Sequence, residues 1–554
     1  MMLKILLIVP EIRIDSRPYH FPFWAGILAA IVEQKGFQVG ILDLNALRDN
    51  FNGKLVPDEV ISEEIALEKW DLVGIGGLTS TYARIKQLVP IIRKSCRDSI
   101  IIGGGGWCTY NPDEILQLVP EIDIICIGEG EETFTEVCDE ISCGTRNFEK
   151  VGGLCLNDNG KFKFTEPRAL ISDLNTIPYP AYHLMETETY FKYSSLPLSV
   201  DSFNAKRRAS VVWERGCPRG CTFCSHNGMS RGDLQNIYGQ GDRREGEKLV
   251  RMSDKENNTF QLPARWPSPK YAVENIKLLK ENYNADFISI LDENMTSNLK
   301  WTKEFCKLYV EEGLNETVKW GTFGDAPSVA VQPSIVQTMK NAGCVYISFG
   351  FESASNKVLN EDIGKGQLQV HEQQTIDALK KAKLTPLATF MIGNPHEDIN
   401  DLMETVTFWI RNNIEVDPFI CTPYVGSPLY YSYKDFILQQ YDERIKLVAS
   451  GKYKVSYETV KKLKLQALDK FMQECGDATQ YTATVSQYFT IPELFALKRL
   501  MYKKDFKRIL QMAHQRYEQT GLEQWDHDAK WEKYCNVCKA RSELGSTLEV
   551  PLNS

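Results

Sequence analysis

The run Ser210-Val-Val-Trp-Glu-Arg-Gly-Cys217-Pro-Arg-Gly-Cys221-Thr-Phe-Cys224-Ser-His-Asn decides how this chain is read. A β-rich stretch leads into a loop with glycine and proline, and the loop holds three cysteines at x3 and x2 spacing. A 4Fe-4S cluster is usually held by four thiolates. Three would leave one iron open to a substrate or cofactor. A zinc site would want a fourth donor nearby, and His226, two residues past Cys224, offers one. The x3-then-x2 order is unusual for zinc knuckles and ribbons, which favours the cluster.

Downstream, from 211 to about 430, strand and helix alternate. Phe287–Leu291 ends in Asp292-Glu293, Val318–Phe323 in Gly324-Asp325, and Val345–Phe349 in Gly350-Phe-Glu352-Ser353. Leu387–Ile392 ends in Gly393-Asn-Pro395, and Phe419–Tyr424 in Gly426-Ser427-Pro428. With the cysteine strand this predicts six parallel strands. Each carries polar or glycine residues at its carboxyl end, where barrel active sites sit. The stretch 227–269 interrupts the alternation. It is long and polar, with Arg243, Arg244, Arg251, Arg265 and Trp266. A connection of this length is functional or disordered. As a lid or clamp its arginines would suit an anionic substrate; as a surface insertion they would be solvated.

Upstream, apolar runs at Leu3–Val9, Val39–Leu44, Leu72–Ile75, Ile100–Ile102 and Ile122–Ile127 are separated by amphipathic helical patterns. Continuous apolar strands between helices predict a doubly wound, Rossmann-like parallel sheet covered on both faces. Ligands of such sheets bind beyond the carboxyl ends of the strands. Those ends read Gly76-Gly77-Leu78-Thr79-Ser80, Gly103-Gly104-Gly105-Gly106 and Gly128-Glu129-Gly130-Glu131. Glycine lets backbone approach a large ligand closely. The alternative is a set of tight turns with no ligand, and three on one sheet edge favour the ligand. The first loop, Pro10-Glu11-Ile12-Arg13, does not fit the dinucleotide fingerprint, so a nicotinamide cofactor is not expected. Glu129 and Glu131 stand at a helix start, where the dipole favours carboxylates.

The 554 residues suggest three or four domains, with 43% hydrophobic and 25% charged residues in the range of ordinary globular proteins. The 73 acidic and 64 basic side chains give a net charge of −9, a poor prior for nucleic acid. No apolar run reaches the roughly 20 residues a membrane span needs, and no secretory signal is visible. A cytoplasmic, thiol-reducing setting is expected. Of fifteen cysteines, those set singly in apolar runs (Cys126, Cys306, Cys344, Cys421) read as small buried hydrophobes. Cys535 and Cys538 could ligate a second cluster or metal, though free thiols fit better because a partner pair is missing unless Cys475 joins. Helical patterns at Asp442–Ser450, Tyr457–Glu474, Ile491–Met501 and Asp505–Thr520 predict an α-helical end to the chain.

C-x3-C-x2-C with an aromatic, here Phe223, before the last cysteine resembles the signature of the radical S-adenosylmethionine (SAM) superfamily. The first third is similar to the cobalamin-binding domain that precedes some radical SAM domains. The residues carrying that likeness are the glycine run 103–106, Gly-Glu-Gly-Glu-x-Thr-Phe at 128–134, and Ile177-Pro-Tyr-Pro-Ala181. The resemblance implies four parts: a cobalamin-binding Rossmann-like domain (1–145), a linker (146–205), a partial (β/α)6 radical SAM barrel (206–435) with the insertion 227–269, and a C-terminal helical cap and tail (436–554). It implies that Cys217, Cys221 and Cys224 hold a 4Fe-4S cluster and that SAM meets Phe223, Glu293, Glu352, Ser353, Gly393 and Pro395. It implies cobalamin beside Gly76, Gly77, Thr79, Ser80, Gly103, Gly104, Gly105, Gly128, Glu129 and Gly130. Cobalamin proteins with a histidine cobalt ligand carry Asp-x-His-x-x-Gly, which is absent here, so no histidine ligand is implied. Tyr82 and Arg84 are candidates to lie near that cofactor.

The implied chemistry is reductive cleavage of SAM to a 5′-deoxyadenosyl radical. Methyl transfer through methylcobalamin to a carbon or phosphorus of a small molecule would follow, with an external flavodoxin- or ferredoxin-type electron donor. Oxidative cyclisation, as in the anaerobic magnesium-protoporphyrin ester cyclase group, is the competing reaction. A non-enzymatic metal- or cobalamin-binding sensor is the reading from a different class, and it would lack SAM contacts such as Glu293 and Glu352. Transfer-RNA methylthiolation is disfavoured, because Cys96, Cys108 and Cys126 lack the required pattern.

Overall fold

A computed structural model describes residues 2–12, 17–18, 20–193, 202, 204–225, 264–475, 483–505, 507–509, 511–512 and 515. His226, Arg243, Arg244, Arg251, Cys535, Cys538 and most of the expected helix 505–520 lie outside the described residues. The chain divides into two compact units. One comprises Met1–Phe323, Thr338–Tyr346 and Thr422–Ala483; the other comprises Gly324–Gln337, Ile347–Cys421 and Thr484–Ser554.

The first unit contains a seven-stranded sheet. Its strands are β1 (Lys4–Val9), β2 (Gln38–Asp43), β3 (Leu72–Gly77), β4 (Ile100–Gly105), β5 (Ile124–Cys126), β6 (Leu154–Asp158) and β7 (Lys161–Phe164), in the order β2-β1-β3-β4-β5-β6-β7. The pairs among β1–β5 are parallel. The order 2-1-3-4-5 is that of a doubly wound fold, in which the strand order reverses beside β1. The apolar runs form these strands because both faces are covered: Ile5, Leu7, Leu72, Ile101 and Ile125 are fully buried. Cys126, Cys138 and Phe134 join the same core.

Two strands come from the stretch expected to be linker. β6 pairs antiparallel with β5, and β7 antiparallel with β6. Asn159 and Gly160 both take positive φ, 52° and 83°, the two-residue turn that matches strand twist. That Asn-Gly pair is the overlooked signal for the hairpin. The helix Thr187–Tyr193 lies in the same stretch.

The second sheet has six strands: β8 (Arg208–Val211), β9 (Phe287–Ile290), β10 (Lys319–Gly324), β11 (Cys344–Glu352), β12 (Leu387–Ile392) and β13 (Glu415–Ile420), ordered β13-β12-β11-β10-β9-β8. The pairs β8·β9, β9·β10, β11·β12 and β12·β13 are parallel. β13 begins four residues before the expected Phe419, with Glu415 opposite Leu387. Its start carries Glu415 and Asp417, which hid it from an apolar-run search. Helices Glu443–Ala449, Tyr457–Glu474 and Ile491–Tyr502 follow the expected pattern. Among the described residues no helix is long and apolar enough to cross a membrane.

Candidate active site

In the first unit the cysteine loop begins where β8 ends. The backbone N–H groups of Trp213 and Glu214 donate to Asp292 Oδ1 at 2.6 and 3.0 Å, and the Asn294 N–H donates to Glu214 Oε2 at 2.8 Å. The loops after β8 and β9 are therefore latched in both directions. Burial, with a smaller push from the charge of Glu293, raises the Asp292 carboxyl to about 6. Neither Asp292 nor Glu214 was singled out from sequence; the only signal was an acidic residue at the end of each adjacent strand. Glu293 is exposed at the same strand end.

Gly216 has a φ of 85°, which turns the chain into Cys217. Cys221 is buried, whereas Cys217, Phe223 and Cys224 are half-buried, and none of the three cysteines is in a disulfide. The Cys224 N–H donates to the Cys221 carbonyl at 3.2 Å. Burial pushes the Cys217 thiol up to about 12, and the charges of Cys221, Glu214 and Glu293 add to this. Ligation by a positive metal centre reverses that preference, because the ligand is the thiolate. Three cysteines outside any disulfide on one short loop, two of them partly accessible, fit a three-cysteine cluster.

Other loops of this unit reach the same span. Arg215 and Arg265 exchange both backbone hydrogen bonds at 3.0 Å. The Arg215 guanidinium contacts Glu129 at 3.4 Å and pairs with Glu131, while Arg265 meets Glu129 at 2.7 and 3.1 Å. Burial raises the Glu129 carboxyl, but the Arg265 hydrogen bond, the Arg215 charge and the N–H of Ile171 outweigh it and hold it below its usual value. Glu129 and Glu131, at the start of the helix Glu131–Ser142 as the sequence indicates, also hold these two arginines. Arg265, expected among substrate-facing arginines, is engaged with Glu129 and the Ile171 carbonyl.

The glycine edge of the first sheet divides into two kinds of position. A Cβ on Gly76 would strike Trp24, on Gly77 Thr81, on Gly103 Trp107, and on Gly105 (φ 96°) the Gly77 carbonyl. These are close packing positions. Gly104 has only Cys126 at 3.8 Å, Gly130 only the Cys126 sulfur at 3.7 Å, and Gly128 (φ 80°) nothing within 4 Å. Those three leave a space that a ligand could occupy, which fits cobalamin. Thr79 is buried, with its hydroxyl donating to the Gly106 carbonyl at 3.3 Å, and Ser80 is half-buried. Of the two neighbours suggested for the cofactor, Arg84 binds the fully buried Glu11 at 2.8 Å and the Tyr82 hydroxyl donates to Asp469 at 2.7 Å.

In the second unit, β11 ends at Glu352 with a φ of 64°, unusual for a side-chain-bearing residue. Lys365 Nζ donates to the Gly350 carbonyl at 2.5 Å and to Glu352 Oε1 at 3.3 Å. Ser353 is buried, with its Oγ 3.1 Å from Thr405 Oγ1, and accepts the Ser355 N–H. After β12, Gly393 has a φ of 82°. Glu397 Oε2 accepts the N–H groups of Gly393 and Asn394 at 2.7 and 3.2 Å, and the Pro395 carbonyl accepts the Gln487 N–H at 3.1 Å. Burial pushes the Glu397 carboxyl up to about 8. Sequence reading missed Glu397 as well as Lys365.

Two family descriptions match the chain: the B12 binding domain over residues 12–138 and the Radical SAM superfamily over 211–408. An uncharacterized methyltransferase, PH0819, of Pyrococcus horikoshii is 30% identical over 366 residues, 65% of this chain and 68% of that protein. The cytidylyl-2-hydroxyethylphosphonate methyltransferase of Streptomyces wedmorensis is 24% identical, over 77% of this chain and 80% of its own. Among solved structures, the radical S-adenosylmethionine methyltransferase TsrM from Kitasatospora setae has the same fold, with a TM-score of 0.59 at 14% identity, over 78% of this chain and 76% of that one. Taken with the cysteine loop and the open glycine edge, these matches show that the chain is an enzyme belonging to the cobalamin-dependent radical SAM methyltransferase family.

Proposed function

We propose that this enzyme methylates an unactivated carbon or a phosphorus of a small-molecule substrate, with Cys217, Cys221 and Cys224 holding a 4Fe-4S cluster. The observation that carries this reading is the three-cysteine loop without a disulfide, fixed by Asp292 and accompanied by the exposed Glu293 at the next strand end. When bound, SAM at the reduced cluster supplies a hydrogen-abstracting radical, and cobalamin carries the methyl group. The protein's part is binding, orientation and exclusion of water.

Glu293 is suited to the amino group of SAM and Glu352 to its ribose, while the Gly393–Pro395 loop, fixed by Glu397, is suited to pack by adenine. Phe223 sits among the ligating thiols. Ser353 supports its loop through Thr405. Gly104, Gly128 and Gly130 are suited to face cobalamin, and Gly76, Gly77, Gly103 and Gly105 to shape the edge around it. Arg243, Arg244 and Arg251 in the polar insertion support an anionic substrate. A flavodoxin- or ferredoxin-type donor in the cytoplasm would reduce the cluster.

Protein reconstituted anaerobically with iron and sulfide should be brown, and Cys217→Ala, Cys221→Ala or Cys224→Ala should each abolish the cluster spectrum. A colourless zinc protein overturns the reading. Turnover with deuterated-methyl SAM should raise product mass by a labelled methyl group. A product that gains no methyl instead supports cyclisation, the reaction named for a 24% identical relative from Cereibacter sphaeroides, the anaerobic magnesium-protoporphyrin IX monomethyl ester cyclase.

A further inference from the structure

We propose that the loops following β4 and β5 form a two-point clamp on the cysteine loop, with Arg215 and Tyr110 as its positioning residues. The proposal rests on the reading that this loop carries the cluster. A loop presenting three ligands to one cofactor must hold them to within roughly half an ångström, and a short glycine- and proline-containing loop does not do so by itself. Its two ends are fixed from outside.

At the entry, Arg215 stands two residues before Cys217. Its guanidinium spans Glu129 and Glu131 of the β5 loop, and its backbone is bridged to Arg265, whose own guanidinium returns to Glu129. The four side chains are only 9–26% exposed, so the network is shielded from solvent and salt. At the exit, Tyr110 comes from the segment after the β4 glycines. Its hydroxyl donates to the Ser225 carbonyl at 2.5 Å, one residue past Cys224. Its ring lies where a Cβ on Gly426 (φ 97°) would otherwise stand. Between these points the Leu429 N–H donates to the Thr222 carbonyl at 2.8 Å.

Of the open positions of the glycine edge, Gly128 and Gly130 lie in the loop after β5, and Gly104 is the next-to-last residue of β4, just ahead of the other loop. The cysteine loop is therefore tied to the segments that border those open positions. Arg215 and Tyr110 act through the loop and are not assigned contact with reacting atoms.

The test uses full-length Tyr110→Phe, which keeps the ring and deletes one donor, with Arg215→Gln and Arg215→Lys. Arg168→Gln is the control, since it breaks ion pairs to Glu132 and Glu136 on the helix that carries Glu131. In apo-protein, alkylation of Cys217 and Cys224 by iodoacetamide, followed by mass spectrometry, should quicken several-fold in Tyr110→Phe and Arg215→Gln. It should quicken less in Arg215→Lys and stay unchanged in Arg168→Gln. In reconstituted protein, the reduced-cluster EPR signal should change shape and the cluster should bleach in air several-fold faster, with the same ranking.

Should Arg215→Gln not fold, Tyr110→Phe and Arg215→Lys decide. Wild-type protein that takes up no cluster defeats the proposed function, while the alkylation ranking still decides the clamp. Wild-type protein with a cluster, and variants indistinguishable from it in alkylation and EPR, defeats the clamp alone. An equal rise in Arg168→Gln also defeats it, because general loosening would then account for the effect.

Discussion

Asp292 Oδ1 accepts the backbone N–H of Trp213 at 2.6 Å, so the end of β9 fixes the first turn of the cysteine loop. The same oxygen accepts the Glu214 N–H. Asp292→Ala strands two buried donors, and leaving such groups unpaired costs about 1–3 kcal/mol each. The variant should lose about 3 kcal/mol in denaturant unfolding and bind less iron per chain on reconstitution. Asp292→Asn, which keeps one acceptor oxygen, should lose less than half as much. Equal losses in the two variants would show that the acceptor is not what matters.

The positive φ of Glu352 separates backbone from side-chain roles. A left-handed conformation costs a side-chain-bearing residue about 1 kcal/mol, and glycine almost none. Glu352→Ala and Glu352→Gly delete the same carboxylate from Lys365. Glu352→Gly should therefore be the more stable by about 1 kcal/mol in thermal or urea unfolding, while both should weaken SAM binding alike in equilibrium dialysis. Unequal SAM affinities would place the effect in the backbone.

Glu397 makes a pH-dependent contribution whose sign follows from its burial. Its carboxyl is raised from 4.5 to about 8 in the folded protein. Folding therefore favours the protonated form. That stabilisation is full below 4.5, declines as pH rises, and is gone above about 8. Glu397→Gln does not titrate, so its melting temperature relative to wild type should rise across this window, by the equivalent of a few kcal/mol at most. A flat difference would mean that the carboxyl titrates normally.

Local features of the sequence were legible and distant pairings were not. The cysteine spacing, the apolar runs of β1–β5 and the amphipathic helix Tyr457–Glu474 are written in contiguous residues, and the folded chain has them. Cys126, Cys306, Cys344 and Cys421 are buried, as their apolar flanks indicate. The partners that hold the site are far away in sequence: Tyr110 meets a carbonyl 115 positions on, and Glu129 meets Arg265 across 136. No periodicity encodes such pairs. The glycines show the same limit. The sequence marks where a Cβ is absent, but only packing tells whether Trp24, Trp107 or open space fills the gap.

That distinction makes adjacent glycines a test of the cobalamin edge. Gly105 has a φ of 96°, and a Cβ there would meet the Gly77 carbonyl, so Gly105→Ala strains the fold whatever is bound. Gly104 has no such constraint; its Cβ would have only Cys126 at 3.8 Å. Gly104→Ala should melt within about 0.5 kcal/mol of wild type, as substitutions away from special features do, whereas Gly105→Ala should lose at least 1–3 kcal/mol, typical of a backbone outlier. If cobalamin lies against Gly104, then Gly104→Ala and the larger Gly104→Val should retain progressively less of it. The measure is cobalamin absorbance after gel filtration, with cluster content unchanged. Full cobalamin retention by Gly104→Val would move the cofactor away from this edge.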